Sequence, residues 1–200
     1  MQFMTDTSIL VPAITTDQMI EVDRVAMEEL GPNLFQMMEN AGRNLALQAI
    51  DCLGEGWRDA RVIVLAGTGG NGGGGICAAR HLANRGVDVQ LVISAPERLK
   101  AVPQWQHQIF QATSGKTIAL ADLQASDTTV DLILDTIIGY SLRAAPRGAA
   151  LELMQWANAQ ESPILSLDTP SGVDSTTGET PGEFIKATWT MTLALPKTGL

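Results

Sequence analysis

The stretch Arg61-Val62-Ile63-Val64-Leu65-Ala66-Gly67-Thr68-Gly69-Gly70-Asn71-Gly72-Gly73-Gly74-Gly75 joins an apolar segment to a nine-residue run that contains seven glycines. A helical pattern follows directly, from Ile76 onward. An apolar strand, a glycine turn and a helix N-terminus in this order form an anion site, because glycine lets the backbone approach a ligand and the first helical N–H groups are unpaired. The stretch therefore predicts a strand–turn–helix unit that binds a phosphate-bearing small molecule.

The chain outside this stretch alternates between strand-like and helix-like segments. Val, Ile and Leu dominate the strand-like runs, as expected for strands that are buried on both faces. These runs are residues 61–66, 87–93, 132–135, 164–167 and 188–195, with a further short strand at 118–120. The helix-like runs are about 17–30, 34–50, 74–85, 103–113 and 149–159. This alternation predicts an α/β fold, a Rossmann-like three-layer sandwich with a mostly parallel sheet and helices on both faces.

Composition indicates one domain. The 200 residues, 45% of them hydrophobic, suit a single core, which we place at residues 14–200 behind an N-terminal arm at residues 1–13. The chain stops in a turn just past its last predicted strand, so we expect that the natural domain continues or was cut there.

The net charge of −9 argues against nucleic acid and acidic membrane surfaces as partners.

The N-terminal residues lack the basic and apolar regions of a secretory signal, and no apolar run approaches the ~20 residues of a membrane span. A cytoplasmic location is therefore the default prediction. Cys52, Cys77, His81 and His107 show no metal-ligand spacing. We expect the cysteines to be small buried residues and the histidines to lie at the surface or to pack between helices.

Two familiar nucleotide sites are disfavoured. Gly67, Gly69 and Gly72 match the spacing G-x-G-x-x-G, but a dinucleotide-binding unit also needs an acid at the end of the next strand for the ribose. Ser94 stands at that position, whereas Asp88 begins the strand. No Gly-Lys-Ser/Thr follows the glycine run, as a P-loop requires. An ordinary NAD dehydrogenase and a P-loop enzyme are therefore both poor interpretations.

Polar residues follow three of the predicted strands. The strand ends of a parallel sheet share one edge, so Asn71, Asp135, Asp168 and Ser171 are expected to gather beside the glycine run. Each of the four, taken alone, is equally well explained as a turn or cap residue. Their shared position favours function, and their amide, carboxylate and hydroxyl oxygens suit a hard cation better than zinc or copper.

At these residues the chain resembles the YjeF N-terminal domain family, the NAD(P)H-hydrate epimerases. The resemblance spans about residues 14–200. Its motifs are Gln36-Met37-Met38-Glu39-Asn40-Ala41-Gly42, Gly69-Gly70-Asn71-Gly72-Gly73, Ala78-Ala79-Arg80-His81-Leu82, Asp135-Thr136-Ile137-Ile138-Gly139, Asp168-Thr169-Pro170-Ser171-Gly172-Val173-Asp174 and Leu195-Pro196-Lys197. It implies a Rossmann-like fold, often a homodimer, that interconverts the R and S epimers of hydrated NADH and NADPH in the repair of these nucleotides.

The resemblance also implies the site residues. Potassium would be bound by Asn71, Asp135 and Ser171. Substrate contacts are implied at Gly70, Asn71, Gly72, Gly73, Gly74, Gly139, Tyr140, Ser141, Leu142, Arg143, Ala144, Ala145 and Asp168. The hydrate carries a hydroxyl on a carbon bonded to the ring nitrogen, and inversion of that centre needs a positioned acid/base. We assign this role to Asp168 and expect Arg143 to face a phosphate.

Two glycines depart from the family pattern Asn-Asn-Gly-Gly-Asp-Gly. Gly70 stands in place of its first asparagine and Gly74 in place of its aspartate. These changes favour an alternative, a non-catalytic nucleotide-binding or scaffold member of the family, since fold does not determine function. Retention of the four polar residues at the strand ends favours the epimerase.

Overall fold

A six-stranded sheet forms the centre of the computed structural model, which describes residues 1–125 and 129–200. Its strands are β3 (Arg61–Ala66), β4 (Asp88–Ile93), β5 (Lys116–Thr117), β6 (Leu132–Thr136), β7 (Ile164–Leu167) and β8 (Trp189–Met191), and an antiparallel hairpin of β1 (Gln2–Met4) and β2 (Leu10–Pro12) precedes them. The sheet order is β5-β4-β3-β6-β7-β8, and every pair is parallel.

Six α-helices accompany these strands in the described residues. They are α1 (Thr16–Val25), α2 (Leu34–Leu53), α3 (Gly70–Ala83), α4 (Ala101–Phe110), α5 (Leu120–Gln124) and α6 (Ala149–Asn158). A π-helical turn, Ala26–Leu30, extends α1, and short 3-10 helices lie at Gly54–Arg58 and Pro96–Arg98. Thr15 and Asn33 begin α1 and α2 through capping boxes, which satisfy backbone donors that the helices leave unpaired. None of the helices described is long and apolar enough to cross a membrane.

Helices cover both faces of the sheet. Val62 and Val64 of β3 face a core built with α2, α3 and α4, whereas Ile63 and Leu65 face a core built with α5 and α6. Successive residues of a strand point to opposite faces, so the uninterrupted apolar run of β3 supplies both cores. The predicted three-layer α/β class is confirmed, and the sheet is parallel throughout.

The glycine run is helical, which corrects the predicted boundary at Gly74. Helix α3 begins at Gly70, and its early glycines press against the ends of the strands. A Cβ at Gly75 would lie 1.9 Å from Thr136 Oγ1, and one at Gly72 would lie 1.9 Å from the carbonyl oxygen of Gly67. Glycine is needed here because any side chain would separate the helix from the sheet.

Two predicted strands were misplaced. The strand expected at 118–120 is β5, two residues long, and Leu120 already begins α5. The strand expected at 188–195 ends at Met191 because the chain turns inward there: the N–H of Leu193 donates to Asp168, and Ala194 has a positive φ of 58°. The predicted arm at residues 1–13 contains the hairpin, and Ile14 next to it bridges to Lys197.

Candidate active site

The loops that follow β3 and β6 meet where the sheet order changes direction. Strands β4 and β6 flank β3 on opposite sides, which opens the crevice at the carboxyl ends where parallel sheets bind ligands. The two loops are in close contact, because a Cβ added at Gly67 would lie 2.0 Å from the carbonyl oxygen of Ile137. The side chain of Asn71 lies against Gly139 of the second loop, at 3.1 Å from the position of a Cβ there. The predicted gathering of strand ends is therefore realised.

Asp135 is a wholly buried carboxylate that accepts four hydrogen bonds. Oδ1 accepts from Ser171 Oγ (2.5 Å) and the N–H of Ile137 (3.3 Å), and Oδ2 accepts from Ser166 Oγ and the N–H of Ser171, both at 2.8 Å. Burial raises the pKa of Asp135, and the hydrogen bonds from Ser171, Ser166 and Ile137 oppose that rise. No cationic side chain pairs with Asp135 in the described ranges, although buried charges normally have such a partner.

Asn71 has an unsatisfied amide. Its Nδ2 is buried without a hydrogen-bond partner in the parts of the chain that the structure describes. Which end of this amide is nitrogen and which is oxygen is an assignment, and a 180° rotation of the amide group puts Oδ1 where Nδ2 lies. Ser171 Oγ accepts a hydrogen bond from the N–H of Ile138 at 2.8 Å. The next residue is Gly139, against which the Asn71 side chain lies. The predicted cation ligands thus converge on one loop, and an unpaired carboxylate with an unsatisfied amide fits a bound cation.

Asp168 follows β7 in an uncommon backbone conformation. Its φ is +72°, in the left-handed region, and its N–H donates to Met191 at 2.8 Å. The side chain is 4% exposed. Oδ1 accepts from Lys197 Nζ and, at 3.2 Å, from the N–H of Leu193. None of the hydrogen bonds described uses Oδ2, and Asp168 borders a cavity. One oxygen is anchored, and the other has no hydrogen-bond partner among the residues described.

The cavity has a volume of about 720 Å³ and lies over the carboxyl edge of the sheet. Seven residues implied by the resemblance line it: Gly70, Asn71, Gly74, Gly139, Tyr140, Ser141 and Asp168. Six others do not: Gly72 and Gly73 are buried by packing, Leu142 is half-buried, and Arg143, Ala144 and Ala145 are exposed. The loop beyond Ser141 therefore does not line this cavity, and neither does Arg143.

Other lining residues were missed by sequence reasoning. Met19, Met37 and Met38 form an apolar wall, although methionine at helical spacing predicts core packing or a dimer face. Lys100 borders the cavity at the start of α4, where an isolated lysine carries no motif. Asp23 lines it from α1 and accepts a hydrogen bond from Tyr140 at 2.7 Å. Burial and the neighbouring Asp23 raise the pKa of Tyr140, so its hydroxyl keeps its proton.

Lys197 was also missed as a site residue. Its side chain is fully buried, and its ammonium pairs with Asp168. The signal was present in the motif Leu195-Pro196-Lys197, but lysine and aspartate are 29 positions apart in the chain. Only the turn that ends β8 brings them together.

His81 packs between helices, as predicted, and it has a partner there that the sequence did not reveal. Glu39 Oε1 lies 2.8 Å from His81 Nε2, and both carboxylate oxygens accept from Arg80 at 2.6 Å. Cys77 is buried, as predicted, and its thiol contacts Glu39 at 3.3 Å, whereas Cys52 is half-buried. The guanidinium of Arg80 supplies the positive charge that pairs with the Glu39 carboxylate. The cluster as a whole ties α2 to α3.

We expect this cluster to lose its stabilising effect in acid. Burial raises the pKa of Glu39, but hydrogen bonds from Arg80, His81 and Cys77 outweigh burial, and the pKa is about 2 against an ordinary 4.5. The ionised carboxylate therefore stabilises the fold above pH 4.5, and this contribution disappears as pH falls toward 2. In thermal unfolding, the Tm difference between wild type and Glu39→Gln should shrink below pH 4.5.

Glu55→Gln is the matched control, because Glu55 is exposed and forms no ion pair among the residues described. Its Tm should follow that of the wild type at every pH. A Tm difference for Glu39→Gln that stays constant from neutral pH to pH 3 or below would contradict the assigned role.

A parallel doubly wound sheet with a cavity at its switch point defines a Rossmann-like α/β protein of the small-ligand-binding class. The chain belongs to the family described as YjeF-related protein N-terminus, whose model matches residues 34–199. It is 48% identical over 200 residues to an NAD(P)H-hydrate epimerase of Dehalogenimonas lykanthroporepellens, covering the whole chain and 81% of that protein.

A second relative is longer. The chain is 37% identical to the bifunctional NAD(P)H-hydrate repair enzyme Nnr of Hyperthermus butylicus, over 94% of this chain but only 35% of that enzyme. The crystal structure of the yeast protein ynu0 superimposes with a TM-score of 0.83 at 23% identity, covering 94% of this chain and 83% of that one. This likeness supports the fold independently of sequence.

Proposed function

We propose that this protein is an NAD(P)H-hydrate epimerase whose acid/base is Asp168. The observation that carries the proposal is the free Oδ2 of a carboxylate whose Oδ1 is anchored, at the border of a cavity of about 720 Å³. That volume lies within the range of about 300–1,000 Å³ typical of small-molecule sites. Membership of the family and the name of the 48% identical relative support the substrate, hydrated NADH or NADPH.

The reaction needs a proton to move to and from the hydroxyl oxygen while one bond to the stereocentre breaks and reforms. In the ring-opening route, Asp168 Oδ2 takes the hydroxyl proton, the bond from carbon to ring nitrogen breaks, and its electron pair stays on nitrogen. Closure on the other face of the resulting carbonyl, with the proton returned, inverts the centre. Loss and return of water is the other route, and it requires the aspartate to donate a proton first. The pairing of Asp168 with the ammonium of Lys197 favours the route that starts from the carboxylate.

The phosphates of the substrate are best accommodated at the start of α3. Gly70 borders the cavity and begins the helix, whose first N–H groups have no partner within the helix. Lys100 adds a positive charge to the same cavity. Arg143, exposed outside it, is not needed for this placement.

We further propose that Asn71, Asp135 and Ser171 hold a potassium ion. The bound ion would neutralise the buried carboxylate and order the loops that follow β3, β6 and β7.

Homodimerisation and a cytoplasmic location stay predictions. Homodimerisation is favoured by exposed apolar surface, such as the rings of Phe35 and Trp105, which meet edge to face with centroids 5.3 Å apart.

Potassium is expected to stabilise the fold as well as to support activity. At a concentration 100-fold above Kd, potassium should raise Tm by about 5–10 °C relative to choline at equal ionic strength. Asn71→Ala should reduce this increase, because it removes one ligand. Asn84→Ala is the matched control: Asn84 is exposed at the other end of α3 and should keep the full effect. Equal Tm values in potassium and choline would contradict the cation site.

The function itself is tested by following conversion of the pure R hydrate of NADH into the S hydrate by chromatography. A rate in potassium buffer well above the spontaneous rate is expected. Substrate binding without acceleration would favour the alternative, a non-catalytic nucleotide-binding or scaffold member, which Gly70 and Gly74 suggest because they put no side-chain functional group on the cavity surface.

A further inference from the structure

The ammonium of Lys197 is enclosed beneath the cavity. The side chain is 0% exposed and does not border the cavity. Nζ donates to Asp168 Oδ1, to the carbonyl oxygen of Leu193 at 2.7 Å and to Thr192 Oγ1 at 3.3 Å. An ammonium has three donors, so this set uses all of them and leaves none for substrate or water. Any effect of Lys197 on the reaction must therefore pass through these partners.

All three of those partners, Asp168 among them, belong to the cavity wall. Thr192 and Leu193 both line the cavity, and the N–H of Leu193 donates to the same Asp168 oxygen that pairs with Lys197. The wall segment and the carboxylate therefore share one buried cation. This arrangement makes the two oxygens of Asp168 unequal, because Oδ1 has two donors and Oδ2 has none among the described residues.

We propose that Lys197 is a positioning residue of this site: its ammonium fixes Oδ1 of Asp168, so that Oδ2 is the oxygen that exchanges the proton with the substrate. The inference rests on the epimerase function and on Asp168 as its acid/base. Oδ2 accepts one proton when the stereocentre opens and returns it when the centre closes, so the carboxylate ends each turnover unchanged. Lys197 neither gains nor loses a proton in the cycle.

The expected signature is a loss of kcat rather than a rise of KM. Lys197→Met keeps the length and packing of the stem but removes all three donors. Because the carboxylate is then free to rotate away from the productive geometry, kcat for hydrate epimerisation should fall roughly 10²-fold, with KM changed much less. Lys197→Arg retains a cation and donors and should recover part of the loss. Lys186→Met is the matched control, since the Lys186 side chain is exposed, and it should have wild-type kcat.

A double-mutant cycle separates positioning from support of the fold. Lys197→Met leaves a buried carboxylate unpaired and lowers stability, whereas the double variant with Asp168→Asn removes both charges. If Lys197 acts through Asp168, the double variant and Asp168→Asn alone should have equal kcat, since residues that act as a unit are not additive. This comparison holds even if Lys197→Met alone fails to fold.

Three results would overturn the inference. They are a wild-type kcat in folded Lys197→Met, a loss confined to KM, and a double variant much slower than Asp168→Asn. A wild type and a Lys186→Met variant that both fail to accelerate epimerisation would instead overturn the proposed function, and the inference with it. The two failures are thus distinguished by the same set of proteins.

Discussion

Asp168→Asn is expected to lower kcat for epimerisation of hydrated NADH by about 10²–10⁴-fold, the usual contribution of a positioned acid/base. Asparagine has nearly the shape of aspartate and tolerates a positive φ better than most residues, so it suits the backbone value of +72° at this position. Its amide can still accept from Leu193 but cannot take a proton from the substrate. The measurement is the rate of R-to-S conversion at saturating hydrate in potassium buffer.

Asp174→Asn is the matched control. Asp174 lies in the same segment after β7 and caps a turn by accepting from the N–H groups of Thr176 and Thr177, at 2.9 and 2.8 Å. It does not border the cavity. Its kcat should equal that of the wild type. An Asp168→Asn variant that folds, as judged by its Tm, and keeps wild-type kcat would remove Asp168 from the chemistry.

Gly72→Ala is expected to lower the free energy of unfolding by about 3 kcal/mol, the upper part of the range for an overpacked core. The added Cβ would lie 1.9 Å from the carbonyl oxygen of Gly67 and 2.5 Å from its carbon. Both atoms belong to the backbone, so no side-chain rotation relieves the clash, and α3 must move away from β3. For a chain of this size Tm should fall by roughly 6–12 °C in thermal unfolding.

Gly70→Ala provides the control within the same helix. A Cβ at Gly70 meets nothing within 4 Å, so alanine there adds helix propensity without a clash. Its Tm should equal or slightly exceed that of the wild type, by the equivalent of about 0.5–1 kcal/mol. Equal Tm values for Gly72→Ala and Gly70→Ala would show that the glycines are not needed for close packing.

Local pattern was sufficient for the main elements and for the gathering of polar residues at the ends of the strands. The apolar run of β3 forms where it was predicted. Asn71, Asp135 and Ser171 converge because each follows a strand of one parallel sheet, and such strands end at a common edge. The N-terminal boundary of α3 was wrong because glycine content indicates a turn, whereas contacts with the sheet hold these residues in a helix.

What the sequence by itself determined is the α/β class, the order of its strands and helices along the chain, and the chemical types collected at one sheet edge. These follow from periodicity and from residues adjacent to strand ends, which are local properties. Only the tertiary structure decided that Gly75 packs on Thr136, that Arg143 lies outside the cavity and that Lys197 anchors Asp168. Those outcomes depend on close approach between segments distant in the chain, and no local pattern encodes the distances involved.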